Sequence, residues 1–497
     1  MTVKRVALGE WTPDMPSTTG TESTGLADAK NVYPNNVGYS PFPTPIDITN
    51  PAGEEITSVY AGKDGALVQV FGGSDAQIYK TTPLTSRTVV DIEPVSRSGG
   101  YNSSPEAWHF ETFGKRVLAC KENNVIQTWT IGSSTKFKNL ETLDSYSQPI
   151  TQAPTAKCMS IVRDFVVAGN IDSGDKPNLV KWSDINNEEE WRPASQAPQS
   201  QADSQYIPDG GAIQNITGGE IGVIFLEKAL YRMSYVGSPL FFQFDKISTV
   251  GCFAGKSVIE DNGVSYFLSN DGFYQTDGNT VTAIGTNKVD EWFLANADLL
   301  ALPNMSTTVH PILKLVIWNF ADNFGHRQNL IYHTETGRWS RTETEARCVG
   351  NLATLGTDID TMGALYPDID TLVPAPLDDR MFMGGKYVFA GAKDKKIISF
   401  TGQCINPRLE TFDLEGNNNS VITMVRPIVD NGQANISIAS RQALDDTINF
   451  GAVSEPYEDR NNVRSGGRYH RVRVEPVGSG WTRTVAFDMT VTDNGTR

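Results

Sequence analysis

The stretch ETFGKRVLACKENNVIQTWTI, residues 111–131, holds two apolar runs around a polar turn, and the second run carries an aromatic residue at its end. Short runs rich in Val, Ile and aromatics, bounded by Gly or Asn, read as paired β-strands. The same plan returns in VQVFGGSDAQIYKT (68–81), IVRDFVVAGNIDSGDKPNLVKWSD (161–184), TGGEIGVIFLEKALYRMSY (217–235) and SVIEDNGVSYFLSNDGFYQTDG (257–278). PILKLVIWNFADNFGHRQNLIYHTETGRWS (311–340) and GKYVFAGAKDKKIISFTG (385–402) complete about seven units. A spacing of roughly 40 to 55 residues is that of a four-stranded propeller blade, and radial repetition removes the exposed sheet edges that so many short strands would leave. The expected fold is all-β, a β-propeller of six to eight blades. A β-sandwich with a satellite domain is the competing architecture.

Outward from these repeats the pattern changes at both ends. Residues 1–50 contain Pro13, Pro16, Pro34, Pro41, Pro43 and Pro45, too many for a helix or a central strand, and read as an extended N-terminal docking arm. The propeller is expected over 51–415, with a loop inserted at 345–385 that contains the internal echo TDIDTMGALYPDIDTL. Past the turn EGNNNS, the alternating runs SVITMVRPIV, NISIAS, RYHRVRVEPV and TVAFDMTV predict a small antiparallel β-domain over 416–497.

The chain has 497 residues and a formal charge of −16, so it has no general attraction to phosphate backbones or anionic membranes. No apolar run approaches the roughly 18 residues of a membrane span, and MTVKRVALGEWTPDMP lacks the apolar region of a secretory signal, so a soluble product is expected. Cys120, Cys158, Cys252, Cys348 and Cys404 are scattered without a CxxC pair and read as buried free thiols.

The search for chemistry starts with carboxylates. Asp358, Asp360, Asp368 and Asp370 sit in the inserted loop, but neither DIDTM nor DIDTL has the Gly or distal Glu of a calcium loop, and a solvated turning loop is the simpler reading. The five histidines form no HExxH or other close pair, and no GxSxG, P-loop or GxGxxG appears, so we expect no enzyme, no cofactor and no metal site. SNDGFYQTDG (269–278) is similar to a degenerate Asp-box of sialidase-type propellers, where Asp271 would hold its own turn. Arg464, Arg468, Arg471 and Arg473 alternate with Val472 and Val474 along a predicted strand. That basic face can dock on an acidic neighbour, touch nucleic-acid phosphate, or simply be solvated. Trp11, Trp182, Trp191, Trp292, Trp339 and Trp481 are expected to pack in the core or between blades.

Several phrases, in this order, resemble the tail nozzle, or tail-hub, proteins of short-tailed bacteriophages. GEWTPDMP with AKNVYPNNVGYSPFP (9–43) resembles that family's N-terminal arm, and KWSDINNEEEW (181–191) one of its blade turns. DGFYQTDGNTVTAIGTNKVDEWF (271–293) and IYHTETGRWS (331–340) resemble its hairpin phrases. LYPDIDTLVPAPLDDRMFMGG (365–385) resembles its long loop, and GGRYHRVRV (466–474) its C-terminal strand. The polar insert STTGTESTG (17–25) departs from the shorter turn expected there and puts the docking geometry of the arm in question.

The resemblance implies a virion structural protein assembled in the host cytoplasm, a hexameric ring below the tail adaptor that encloses the DNA exit channel. Implied partners are further copies of the chain, the adaptor, and tail fibre, spike or needle proteins, with transient contact to genomic DNA. On this reading Trp11, Tyr33, Tyr39 and Phe42 are the candidate anchors of the docking arm, with local self-packing as the alternative. The acidic loop with Asp358, Asp360, Asp368 and Asp370 is the candidate gate or a lateral contact, and Arg464, Arg468, Arg471 and Arg473 a candidate contact strand. The alternative function is a carbohydrate-binding or carbohydrate-cleaving tail propeller.

Overall fold

The computed structural model describes residues 2–16, 25–65, 67–81, 90–104, 106–143, 149–353, 387–478 and 480–493. Successive runs fold into four-stranded antiparallel meanders, with several strands returned to their neighbours by tight Gly or Asn turns. Gly114 and Asn123, for example, hold the positive φ values that such turns require. Blade 1 spans 58–94, blade 2 109–139, blade 3 156–206, blade 4 213–248 and blade 5 259–283. A sixth free-standing blade joins strands Cys348–Ala353, Tyr387–Lys393 and Lys396–Gly402 to Thr44–Asp47 from the other end of the chain. Between blade 5 and this closing blade, a further four-strand meander over 306–344 fills the ring as the start of a thirteen-stranded sheet.

Innermost strands pack on their neighbours, or on the turn before them, around the whole circle, and Cys348–Ala353 returns against Ser58–Asp64. The apolar core follows this plan, since the buried clusters lie between consecutive units. Phe225 and Phe267 meet between blades 4 and 5, Phe71 and Phe110 between blades 1 and 2, and Ile317 and Phe389 between the 306–344 meander and the closing blade. The expected β-propeller is therefore the observed fold, and each of the repeats read from sequence falls in one four-strand unit.

Several boundaries shift. The docking arm expected over 1–50 is built into the molecule: Thr44–Asp47 is the outermost strand of the closing blade, with Pro45 opposite Phe400. Proline is tolerated there because an outermost strand has one edge that donates no ladder hydrogen bonds. Leu26–Lys30 runs between strands Arg338–Thr344 and Arg408–Thr411, and Thr2–Ala7 pairs with Arg483–Asp493. The loop expected over 345–385 begins later, because Cys348–Ala353 is the innermost strand of the closing blade, a role that suits a strand buried on both faces. Residues 354–386, including Asp358, Asp360, Asp368 and Asp370, lie outside the described residues. The C-terminal strands are antiparallel as expected but share one sheet with the 306–344 meander. Their core, with Ile422, Ile436, Val472 and Phe487, is continuous with Phe273, Trp318 and Trp339 of the ring. Among the described residues, no helix is long and apolar enough to cross a membrane.

Candidate functional site

The only α-helix among the described residues, α1 (Asp290–Asn296), follows blade 5, and the N-terminal segment closes over it. Asp14 accepts the backbone N–H groups of Glu291 at 2.9 Å and Trp292 at 2.7 Å, satisfying donors that the first helical turn leaves open. The Lys288 ammonium donates to Glu10 Oε1 at 2.7 Å and to the Gly337 carbonyl at 3.1 Å, tying the N-terminal segment to the turn before Trp339. Trp11 is 1% exposed, meets Trp292 edge to face at 5.0 Å, and donates its indole N–H to the Ala27 carbonyl. Arg341 lies over the other side of this seam, bidentate on Asp28 and 5.7 Å from the Trp292 ring.

Under α1 sits Asp290, 6% exposed. Its carboxylate accepts the Phe273 N–H at 3.0 Å, and burial pushes its pKa up to about 6, with Asp14 and Asp271 adding repulsion. Gly272 and Gly285 make room for it: a Cβ on either would fall 2.2 or 2.0 Å from the carboxyl group. Asp271 accepts the hydroxyl of Tyr274 three residues on, so the Asp-box-like phrase holds its own turn as its sequence suggests.

The arm residues are thus spoken for. Tyr39 is fully buried and donates to the Gly9 carbonyl at 2.9 Å, and Phe42 packs edge-on to Phe389 and Phe400 at 5.9 Å. Tyr33 is partly buried against the same cluster. Trp11, Tyr33, Tyr39 and Phe42 are therefore not free anchors for a partner; their apolar area is covered within the monomer, which is the self-packing alternative.

The basic strand is Asn461–Val477, and Val472 and Val474 point into the core as the alternation predicts. Its cations meet acids of the same chain. Arg471 bridges Glu410 at 3.2 Å and Asp413 at 3.0 Å, Arg473 pairs with Glu410 at 3.1 Å, and Arg468 with Glu415 at 2.8 Å. Asp413, whose side chain is 2% exposed, also holds Arg441 at 2.7 Å. Three of the four arginines assigned to a contact strand are consequently neutralised internally. Arg464 is exposed and forms no ion pair among the described residues. Beneath them His470 is held between the hydroxyls of Ser420 at 2.8 Å and Ser440 at 2.7 Å, and burial lowers its pKa.

Sequence reasoning missed Asp14, Asp290 and the acidic row Glu410, Asp413 and Glu415. The signal for the row was present: RLETFDLE spaces its acids, at 410, 413 and 415, as RYHRVRV spaces its arginines, at 468, 471 and 473. Of the cysteines, Cys120, Cys158, Cys252 and Cys348 are buried, Cys404 is half-buried, and burial raises each thiol pKa, as expected for inert core thiols. Trp182, Trp191, Trp339 and Trp481 are buried, and Trp292 packs partly buried on the same core as Trp11. Among the described residues no group of three His, Cys, Asp or Glu side chains is gathered as for a metal ion.

No known protein family matches the chain by sequence, and no curated protein does. Solved structures similar to it include a Bacteroides fragilis protein assigned as a 6-phosphogluconolactonase, at 12% identity over 57% of this chain and 82% of that one, with a TM-score of 0.38. The WD40 domain of Toxoplasma gondii coronin is similar at 10% identity over 77% of this chain and 92% of that one, TM-score 0.38. The periplasmic gluconolactonase PpgL of Pseudomonas aeruginosa is similar at 7% identity over 55% and 80%, TM-score 0.34. At these values nothing about activity follows for this chain.

Proposed function

We propose that this chain is a tail nozzle subunit of a short-tailed bacteriophage, a virion structural protein that forms a hexameric ring below the adaptor. The ring closes the portal and tail channel over packaged DNA and conducts the DNA at ejection. The observation that supports this reading is convergence. The phrases GEWTPDMP, DGFYQTDGNTVTAIGTNKVDEWF and IYHTETGRWS, the first more than 250 residues from the other two and each similar to the nozzle family, meet in one junction through Trp11, Asp14, Lys288, Trp292 and the turn before Trp339. A conduit subunit has to transmit load between the rings above and below it, and a junction woven from both chain ends gives that load a path through paired strands. The charge of −16 per copy also suits a wall past which DNA must slide, since it repels phosphate. With the arm aromatics committed to the monomer core, Arg464 is the member of the basic strand left open to a neighbour.

Cryo-electron microscopy of the chain mixed with portal and adaptor rings tests this reading. A six-fold ring beneath the adaptor, open along its axis, is the expected result. A monomer that ignores both rings overturns it, and a panel of bacterial surface glycans would then test the carbohydrate-binding alternative.

A further inference from the structure

The innermost strands run in one direction, so the segments that lead into them gather at one end of the propeller. There Glu106, Lys157, Gln214, Lys256 and Pro303, one from each of five consecutive places in the ring, line a cavity of about 110 Å³. Only a position on the ring axis collects residues from so many units. Such a volume holds several water molecules or one small ligand.

Its chemistry is asymmetric. The Lys157 ammonium donates to Glu106 Oε1 at 2.8 Å, whereas Glu106 Oε2 is buried and has no hydrogen-bond partner among the described residues. A buried acceptor left without a donor costs on the order of 1–3 kcal/mol. Lys256 reaches the same cavity and forms no ion pair among the described residues. Asn215 is already used, its amide N–H donating to the Gly255 carbonyl at 2.7 Å and its oxygen accepting the Ile216 N–H at 2.8 Å. Cys158 is also used, its thiol turned to the Gly169 carbonyl and its pKa pushed up to about 12 by burial, so the cavity holds no ready nucleophile. What the cavity offers is one acceptor in need of a donor beside one unmatched cation, with Glu106, Lys157 and Lys256 together carrying a single positive charge.

We propose that this axial cavity binds a small 2-hydroxycarboxylate, its hydroxyl donating to Glu106 Oε2 and its carboxylate lying against Lys256. A plain carboxylate satisfies the cation and leaves Glu106 Oε2 bare. A zwitterionic amino acid supplies the donor and leaves the positive charge uncancelled. The inference stands independently of the nozzle reading, since it rests on the cavity alone.

Isothermal titration of the full chain with glycerate, propionate and alanine tests it. Glycerate should bind saturably and about tenfold or more tighter than either of the others, the discrimination expected when a buried polar group is left unpaired. Lys256→Gln and Glu106→Gln should each weaken glycerate by a similar factor. Because Glu106→Gln also disturbs Lys157, the half-exposed Lys256→Gln, with an unchanged melting temperature, decides the matter if the other variant misfolds. Glycerate binding no tighter than propionate, binding untouched in Lys256→Gln, or a crystal grown in glycerate with only water in the cavity would each overturn the proposal.

Discussion

Blades 2 to 4 and the junction around α1 are built from the same kind of strand by opposite means. Over 109–248 each strand pairs with one that follows closely in the chain, and each core cluster joins only neighbouring blades. At the junction Thr2 faces Val491, Lys30 faces Arg341, and Asp28 faces Glu410. The first arrangement needs short loops to close and the second needs the whole chain to have folded, so blades 2 to 4 should form early and the junction late. Damage at one end of the chain should accordingly appear at the other end and spare the blades between.

The severest test of this contrast is Asp413→Ala. It leaves Arg441, 9% exposed, without an acid among the described residues, leaves Arg471 with Glu410 alone, and should cost about 3–5 kcal/mol in urea denaturation, with no relief from added salt. A loss below about 1 kcal/mol would mean that the acidic row is ordinary surface pairing.

Asp290 gives a pH-dependent version. Its folded pKa of about 6 lies above the unfolded value, so the unfolded chain releases the proton first as pH rises. Stability from this group is complete below about pH 4 and falls through pH 6, and Asp290→Asn should remove the fall, raising stability at pH 8 by on the order of 2 kcal/mol. Urea midpoints of the two chains at pH 4 and pH 8 check the sign; equal midpoints at both would show that Asp290 is not buried as a carboxylate.

Asp14→Ala should cost about 1 kcal/mol, the usual loss for a helix cap, and expose the α1 amides to exchange. At the small end, Arg468→Ala breaks a pair whose members are 48% and 39% exposed and should leave stability almost unchanged, any small effect vanishing at high salt. If Arg468 mattered as much as Asp413, the division of the basic strand into a buried and a solvated half would be wrong.

The same contrast explains what could be read in advance. The blades were legible because strand, turn and partner all lie within a few dozen residues, and the turn role of Asp271 was legible for the same reason. Burial of Val472 and Val474 followed from alternation alone. The partners of Arg471 and Arg473 did not, because Glu410 is 61 and 63 residues away and only the fold brings it alongside. Pro43 and Pro45 make residues 44–47 look unfit for a sheet, yet an outermost strand tolerates proline, and so the closing strand reads in sequence as part of an extended arm. The aromatic residues of that arm carried an ambiguous signal from the start, since an anchor for a partner and an anchor for the chain's own core have the same composition.

The most direct test of the account is hydrogen exchange on Trp11→Ala beside Phe225→Ala, two large buried side chains removed from the junction and from the boundary of blades 4 and 5. Trp11→Ala should lose protection in α1, Leu26–Lys30, Arg408–Thr411 and the C-terminal strands, while 109–248 keeps its protection. Phe225→Ala should loosen blades 4 and 5 first. Loss spread evenly over the chain in Trp11→Ala, or confined to the first fifteen residues, would contradict the claim that both chain ends are woven into one junction.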